Sequence, residues 1–126
     1  MRTNALPSFN ELDVWKDGIE LVVQIYQLTE PFPVRERYGL TSQLRRAGVS
    51  VPSNIAEGYG RATRGEYLNQ LSVANGSLNE VDTLCVICDR LGFGAPNAMN
   101  DVSSRVVSPQ KRLWRMRAGL TQSKRL

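Results

Sequence analysis

Apolar residues recur along this chain at helical spacing, and almost nowhere do they alternate with polar residues as a strand's would. Leu12, Trp15, Ile19, Val22, Val23 and Tyr26 form the main apolar face of a helix predicted over 11–29. Ser8 and Glu11 have capping-box spacing ahead of it, and Pro31 and Pro33 end it because neither can continue a helix. A second helix is predicted over 35–58, where Leu40, Leu44, Val51 and Ile55 align; Pro52 should kink it near Gly48, whose carbonyl loses its donor. Gly58-Tyr59-Gly60 breaks the pattern. Thr63 and Glu66 form a second capping box, opening a helix over 64–91 that carries Tyr67, Leu71, Ala74, Leu78, Val81, Cys85 and Cys88. After the Gly92–Pro96 turn, a fourth helix is predicted over 97–121 through Met99, Val102, Val106, Leu113, Met116 and Leu120, with Ser108-Pro109 a candidate kink. Four helices with short connections in 126 residues predict one all-α domain, an antiparallel up-down-up-down four-helix bundle.

Two helices carry more apolar surface than one buried stripe needs. The first has a second line, Val14, Leu21, Ile25 and Leu28, roughly opposite its main face. The third has Val73, Leu84, Ile87 and Leu91, with Ser77 and Glu80 in its middle. Each helix of a small bundle keeps one face outside, so these second stripes point to self-association, with Val14, Leu21, Ile25 and Leu28 as the expected oligomer contact.

A polar line is the other unusual pattern. Gln43, Ser50, Asn54, Glu57 and Arg61 run beside the apolar seam of the second helix. Buried polar groups left unpaired cost about 1–3 kcal/mol each, so the line needs partners. Ser77 and Glu80 of the third helix are candidates, with Arg61 or Arg46 neutralising Glu57 or Glu80. The line is either a structural lock or a ligand or partner site.

Charge adds an asymmetry. Residues 1–101 hold nine basic and twelve acidic side chains, whereas 102–126 hold seven basic ones and no acid. An electropositive end on a mildly acidic body suggests a polyanionic partner; a solvated basic tail is the alternative. Arg105, Arg112 and Arg115 share one helical sector, with Lys111 at its border and Arg117 nearer the apolar face. Trp114 among them is placed either to stack on an unpaired base or to pack on the protein.

The remaining chemistry is sparse. The chain has no histidine, which removes His-based acid/base catalysis, Ser-His triads and His metal ligands. Cys85-Val86-Ile87-Cys88 lies mid-helix on the apolar face with no second cysteine pair, and reads as core. Gly58, Gly60 and Gly65 match a phosphate loop only loosely, with no preceding strand. No cofactor and no metal site is expected, and an enzyme built on Asn54 and Glu57 lacks an accompanying nucleophile. No apolar run approaches the ~20 residues of a membrane span, and the N-terminus lacks a signal-peptide pattern, so a cytoplasmic location is expected.

Certain segments resemble a known family. Gln43-Leu-Arg-Arg-Ala47, Ser50-Val-Pro-Ser-Asn-Ile-Ala-Glu-Gly58, Glu66-Tyr-Leu68 and Ala74-Asn-Gly-Ser-Leu-Asn-Glu80 resemble the four-helix-bundle proteins found in intervening sequences of bacterial large-subunit ribosomal RNA genes. Leu12-Asp-Val-Trp-Lys16 and Tyr26-Gln-Leu28 look like it too, and the likeness covers roughly residues 9–93. It implies a ring-like homopentamer. Its motif residues correspond to Gln43, Arg46, Ser50, Pro52, Asn54, Glu57, Gly58, Ser77 and Glu80, without an assigned role. A distantly similar protein, the accessory variability protein of diversity-generating retroelements, binds nucleic acid and a reverse transcriptase through basic surface. After Phe93 the Ser108-Pro109 pair and the arginine-rich end depart from the family's usual last helix.

The resulting expectation is a non-enzymatic, homo-oligomeric accessory protein that binds RNA or DNA, with a nucleic-acid enzyme as a further partner and no membrane role. Arg105, Lys111, Arg112, Arg115 and Arg117 would contact the nucleic acid. The alternative is a homo-oligomeric scaffold for protein partners.

Overall fold

The computed structural model describes Phe9 and residues 12–124, with side chains as far as Thr121. Four helices carry the fold: α1 (Asp13–Thr29), α2 (Leu40–Tyr59), α3 (Arg64–Arg90) and α4 (Pro96–Lys124). No strand occurs among the described residues. The expected Ser8/Glu11 capping box lies outside them. α2 is shorter at its start than the apolar pattern predicts. Val34–Glu36 form a separate 3-10 turn, and the Leu40 amide donates a hydrogen bond to Glu36 Oε1 at 3.1 Å. The Thr63 capping box is formed: Thr63 Oγ1 accepts from the Glu66 amide at 3.1 Å.

Each helix packs on two neighbours, α1 on α2 and α4, and α3 on the same two. Leu21, Ile25 and Leu28 of α1 meet Leu44, Val51 and Ile55 of α2, Leu71, Leu78 and Val81 of α3, and Val102, Val106 and Leu113 of α4. Burying each such side chain stabilises the fold by about 1.5–3 kcal/mol.

This core reverses the expectation for α1. Val14, Leu21, Ile25 and Leu28, expected at an oligomer contact, are at most 2% exposed and form the bundle interior. The face expected to be inside is outside: Ile19 is 37%, Val23 43% and Tyr26 44% exposed. The reason is close approach rather than hydrophobic mass. The inner line contains Gly18, where an added Cβ would lie 3.2 Å from both Cβ and Cδ of Pro52. One turn back along α2 from Pro52, a Cβ on Gly48 would lie 2.6 Å from Ile25 Cδ1. Only the face bearing Gly18 lets α2 come this near. Trp15 and Tyr26 are too bulky for the seam and sit at its edge.

Neither internal proline breaks its helix. Pro52 fills the space over Gly18, and Pro109 is buried in the α4 interface; both rings fix φ in the helical range. In each case packing offsets the one backbone hydrogen bond the proline removes. The α3–α4 turn needs positive φ at Gly92 and Gly94 (77° and 86°), a region open chiefly to glycine.

Candidate functional site

Between α2 and α3 lies the polar line. Ser77 is buried, and its hydroxyl donates to Ser50 Oγ across the interface at 2.8 Å. Asn54 Nδ2 donates to the same Ser50 Oγ at 2.9 Å and to the Ser50 carbonyl at 2.7 Å. Ser50 Oγ therefore accepts twice, and one hydroxyl pair joins the two helices. Below it α2 and α3 nearly touch: a Cβ on Gly58 would lie 2.8 Å from Gln70 Cβ and 3.0 Å from Tyr67 Cδ1. This contact explains a motif glycine that no conformational need requires. Tyr67 is half-buried against Tyr59, and burial pushes its phenol pKa up.

The outer part of the line is different. Gln43, Arg46, Ala47, Ser50, Ser77 and Glu80 border an open groove of about 350 Å³. Arg61, just past the end of α2, pairs with Glu57 in its last turn. The expected partnership of Arg46 with Glu80 is not formed: neither makes an ion pair within 4 Å among the described residues. The polar line thus divides into a satisfied inner lock at Ser50, Asn54 and Ser77, and an outer rim of one cation and one anion without partners.

The basic residues of α4 also divide. Arg112 is turned towards α1, where its Nε donates to Asp17 Oδ2 at 3.0 Å and its Nη1 to Asp13 Oδ2 at 3.3 Å. Ser108 Oγ donates to the same Asp17 oxygen at 2.9 Å, and Arg105 reaches Glu20 at 3.9 Å. Arg105 and Arg112 therefore tie α4 to α1, while Arg112, 40% exposed, also lines an open groove of α4 with Lys111 and Arg115. Asp13, Asp17 and Glu20 share the helical spacing of Arg105, Ser108 and Arg112, a signal the sequence carries once α1 and α4 are known to be neighbours. Lys111, Arg115 and Arg117 have no ion pair within 4 Å among the described residues. Lys111 and Arg115 stand on the outward strip of α4 beside Ser104 and Ser108, and Arg117 is half-buried. Trp114 is 69% exposed and packs into no core cluster, which leaves its indole face open.

On the α1/α2 flank, Trp15, Ile19, Val22, Val49, Pro52, Ser53 and Ala56 line an apolar groove of about 320 Å³. At its end Arg45 crosses from α2: its Nε donates to Thr29 Oγ1 at 2.8 Å and its guanidinium lies 4.3 Å from the Tyr26 ring centroid. Arg45 and Thr29 drew no notice in the sequence, since each looks like ordinary helix surface.

Cys85 and Cys88 are buried free thiols. Burial, with smaller effects from Cys88 and Asp82, pushes the Cys85 thiol up to about 12, so it is neutral and poorly nucleophilic. No helix among the described residues is long and apolar enough to cross a membrane.

Fold and surface together define a class: four-helix bundles with a polar α2/α3 seam and motif glycines at the helix crossings. Within that class this chain belongs to the 23S rRNA-intervening sequence protein family, whose model matches residues 10–115. The match runs through most of α4, beyond the Phe93 limit of the motif-level likeness. Among curated proteins there is no match. A solved structure described as a protein of unknown function from the S23 ribosomal protein family of Bacteroides thetaiotaomicron VPI-5482 has the same fold, with a TM-score of 0.74 and 23% identity over 82% of this chain and 97% of the other.

Proposed function

We propose that this chain is a non-enzymatic, homo-oligomeric accessory protein that binds RNA, alone or within a ribonucleoprotein, through the outward strip of α4. The observation that carries this reading is the pair Lys111 and Arg115, free of ion pairs, beside the exposed ring of Trp114. Cations supply phosphate affinity, and an open indole stacks on an unpaired base. Nothing in the strip reads base edges, so binding should favour structure and charge over sequence. The family's name connects its members with 23S rRNA intervening sequences, in keeping with an RNA partner.

In this reading the helices run antiparallel, up-down-up-down, and several copies close into a ring, a homopentamer by resemblance. The apolar α1/α2 flank supports self-association, and repetition of a modest basic strip raises avidity without new contacts. A cytoplasmic location and a nucleic-acid enzyme as further partner complete the proposal. A second reading, a homo-oligomeric scaffold for protein partners, is favoured by the same apolar flank and by the engagement of Arg105 and Arg112 within the fold.

Labelled structured RNA titrated with the protein across a salt series separates them. Binding through α4 gives an affinity that falls steeply with salt, and the log–log slope shrinks by about one for each phosphate-contacting cation removed. A scaffold gives no binding at low salt.

A further inference from the structure

The apolar flank of α1 and the outer stripe of α3 are complementary in chemistry, spacing and charge. On α1, Ile19, Val23 and Tyr26 stand out of the fold, continued by Val49 of α2. On α3, Val73 (45% exposed), Ile87 and Leu91 (56% exposed) form a stripe on the side facing away from the core. Within one copy only Tyr26 is covered, by Arg45, and the aliphatic side chains of both stripes are left to water. They lie on different helices and do not face each other within the bundle.

Each stripe carries a charged residue at helical spacing, at the start of the α1 stripe and in the middle of the α3 stripe. On α1 it is Lys16, exposed; on α3 it is Glu80, exposed. Neither forms an ion pair within 4 Å among the described residues. The spacings match. Lys16 to Val23 and Glu80 to Ile87 are both seven residues, two helical turns. When α1 of one copy lies parallel to α3 of another with Lys16 at Glu80, Val23 meets Ile87, and Tyr26 lies one residue short of Leu91. Lys16 against Glu80 places opposite charges together, which fixes register more than it adds affinity.

We propose that the α1/α2 flank of one copy docks on the outer stripe of α3 of a second copy, with Lys16 paired to Glu80. The inference rests on the self-association in the proposed function and names its surfaces. The two surfaces differ, so the contact is heterologous: every copy offers one of each, and the contacts close a ring or continue as a filament. This gives Glu80, a motif residue at the open rim of the α2/α3 groove, a role between copies while Ser50, Asn54 and Ser77 hold the helices within one.

Light scattering after size exclusion tests it at fixed protein concentration, with far-UV circular dichroism as the check on folding. Lys16→Glu alone and Glu80→Lys alone are expected to lower the assembled mass, and the double variant to restore it. Restoration also excludes misfolding as the cause of the loss. In a second arm, Val23→Asp disables the α1 surface and Ile87→Asp the α3 surface. Each alone is expected to be monomeric, and an equimolar mixture to form dimers through the one intact pair of surfaces. A monomeric wild type overturns self-association itself. An oligomeric wild type that tolerates Ile87→Asp, or whose charge-swapped double variant fails to recover mass, overturns these surfaces and leaves self-association standing.

Discussion

A pair of identical substitutions tests the helix crossing at Gly58. In a helix, Gly→Ala ordinarily stabilises by about 1 kcal/mol, because alanine restricts the unfolded chain and suits the helix. Gly76, in the middle of α3, is exposed and has nothing within 4 Å of a built Cβ. Gly76→Ala should therefore gain roughly that 1 kcal/mol. At Gly58 the same methyl meets Gln70 Cβ at 2.8 Å and Tyr67 Cδ1 at 3.0 Å. Gln70 Cβ is fixed to the backbone of α3, so relief requires moving a helix. Overpacking of this kind costs about 1–3 kcal/mol, which outweighs the propensity gain. The two variants should differ by about 1–3 kcal/mol, with Gly76→Ala the more stable. Urea denaturation followed at 222 nm reads this as a midpoint shift at constant m, with all proteins at one concentration because self-association feeds into apparent stability. Equal stabilisation by both substitutions would refute the close α2/α3 approach.

Further outcomes follow from the same geometry. Leu21→Ala should cost about 2–5 kcal/mol by cavity formation, while Val23→Ala should leave the stability of a dissociated subunit within ~0.5 kcal/mol; chemical denaturation of both variants checks which face of α1 is inside. Ser77→Ala should cost about 0.5–1.5 kcal/mol; Ser50→Ala removes that bond and the one from Asn54, so the double variant should cost little more than Ser50→Ala alone, and a double-mutant cycle measures the coupling. Cys85, with its thiol raised from 9.0 to about 12, should resist alkylation at pH 8 until the protein unfolds. The sign follows from the raised value: the neutral thiol's contribution to stability is complete below pH 9.0 and is lost between there and about 12, which a pH series of denaturation midpoints detects.

Much of the fold was legible because helix periodicity, prolines and capping boxes act locally. Thr63 capped α3 as its spacing with Glu66 predicted, and the seam of α3 from Leu71 to Cys88 was readable from its heptad-like recurrence. The two faces of α1 were not ranked correctly. Both are apolar, and the choice turned on Gly18, whose value lies in what it lets Pro52 do from another helix. A projection of one helix counts side chains but cannot see a neighbour's ring.

The site was readable in the same partial way. Ser50, Asn54 and Ser77 come together as their shared polarity and position suggested, because a buried hydroxyl has few other solutions. The basic segment misled in part. Seven cations without an acid in 102–126 look like one patch, yet the acids that engage Arg105 and Arg112 lie about ninety residues away on α1, at Asp13, Asp17 and Glu20. Charge summed along the chain ignores pairing across it. For that reason Arg105 and Arg112 are poor positions for probing RNA contact, since their loss also loosens α4 from α1.

The most direct measurement compares RNA affinity at two salt concentrations for the wild type, for Lys111→Glu with Arg115→Glu, and for a charge-matched control, Arg64→Glu with Arg90→Glu. Arg64 and Arg90 are exposed at the two ends of α3, away from the α4 strip. The account predicts salt-sensitive binding that the α4 pair abolishes and the control pair retains. Equal loss in both variants would reduce the interaction to overall charge, and unchanged binding in the α4 pair would contradict the assignment of the outward strip of α4.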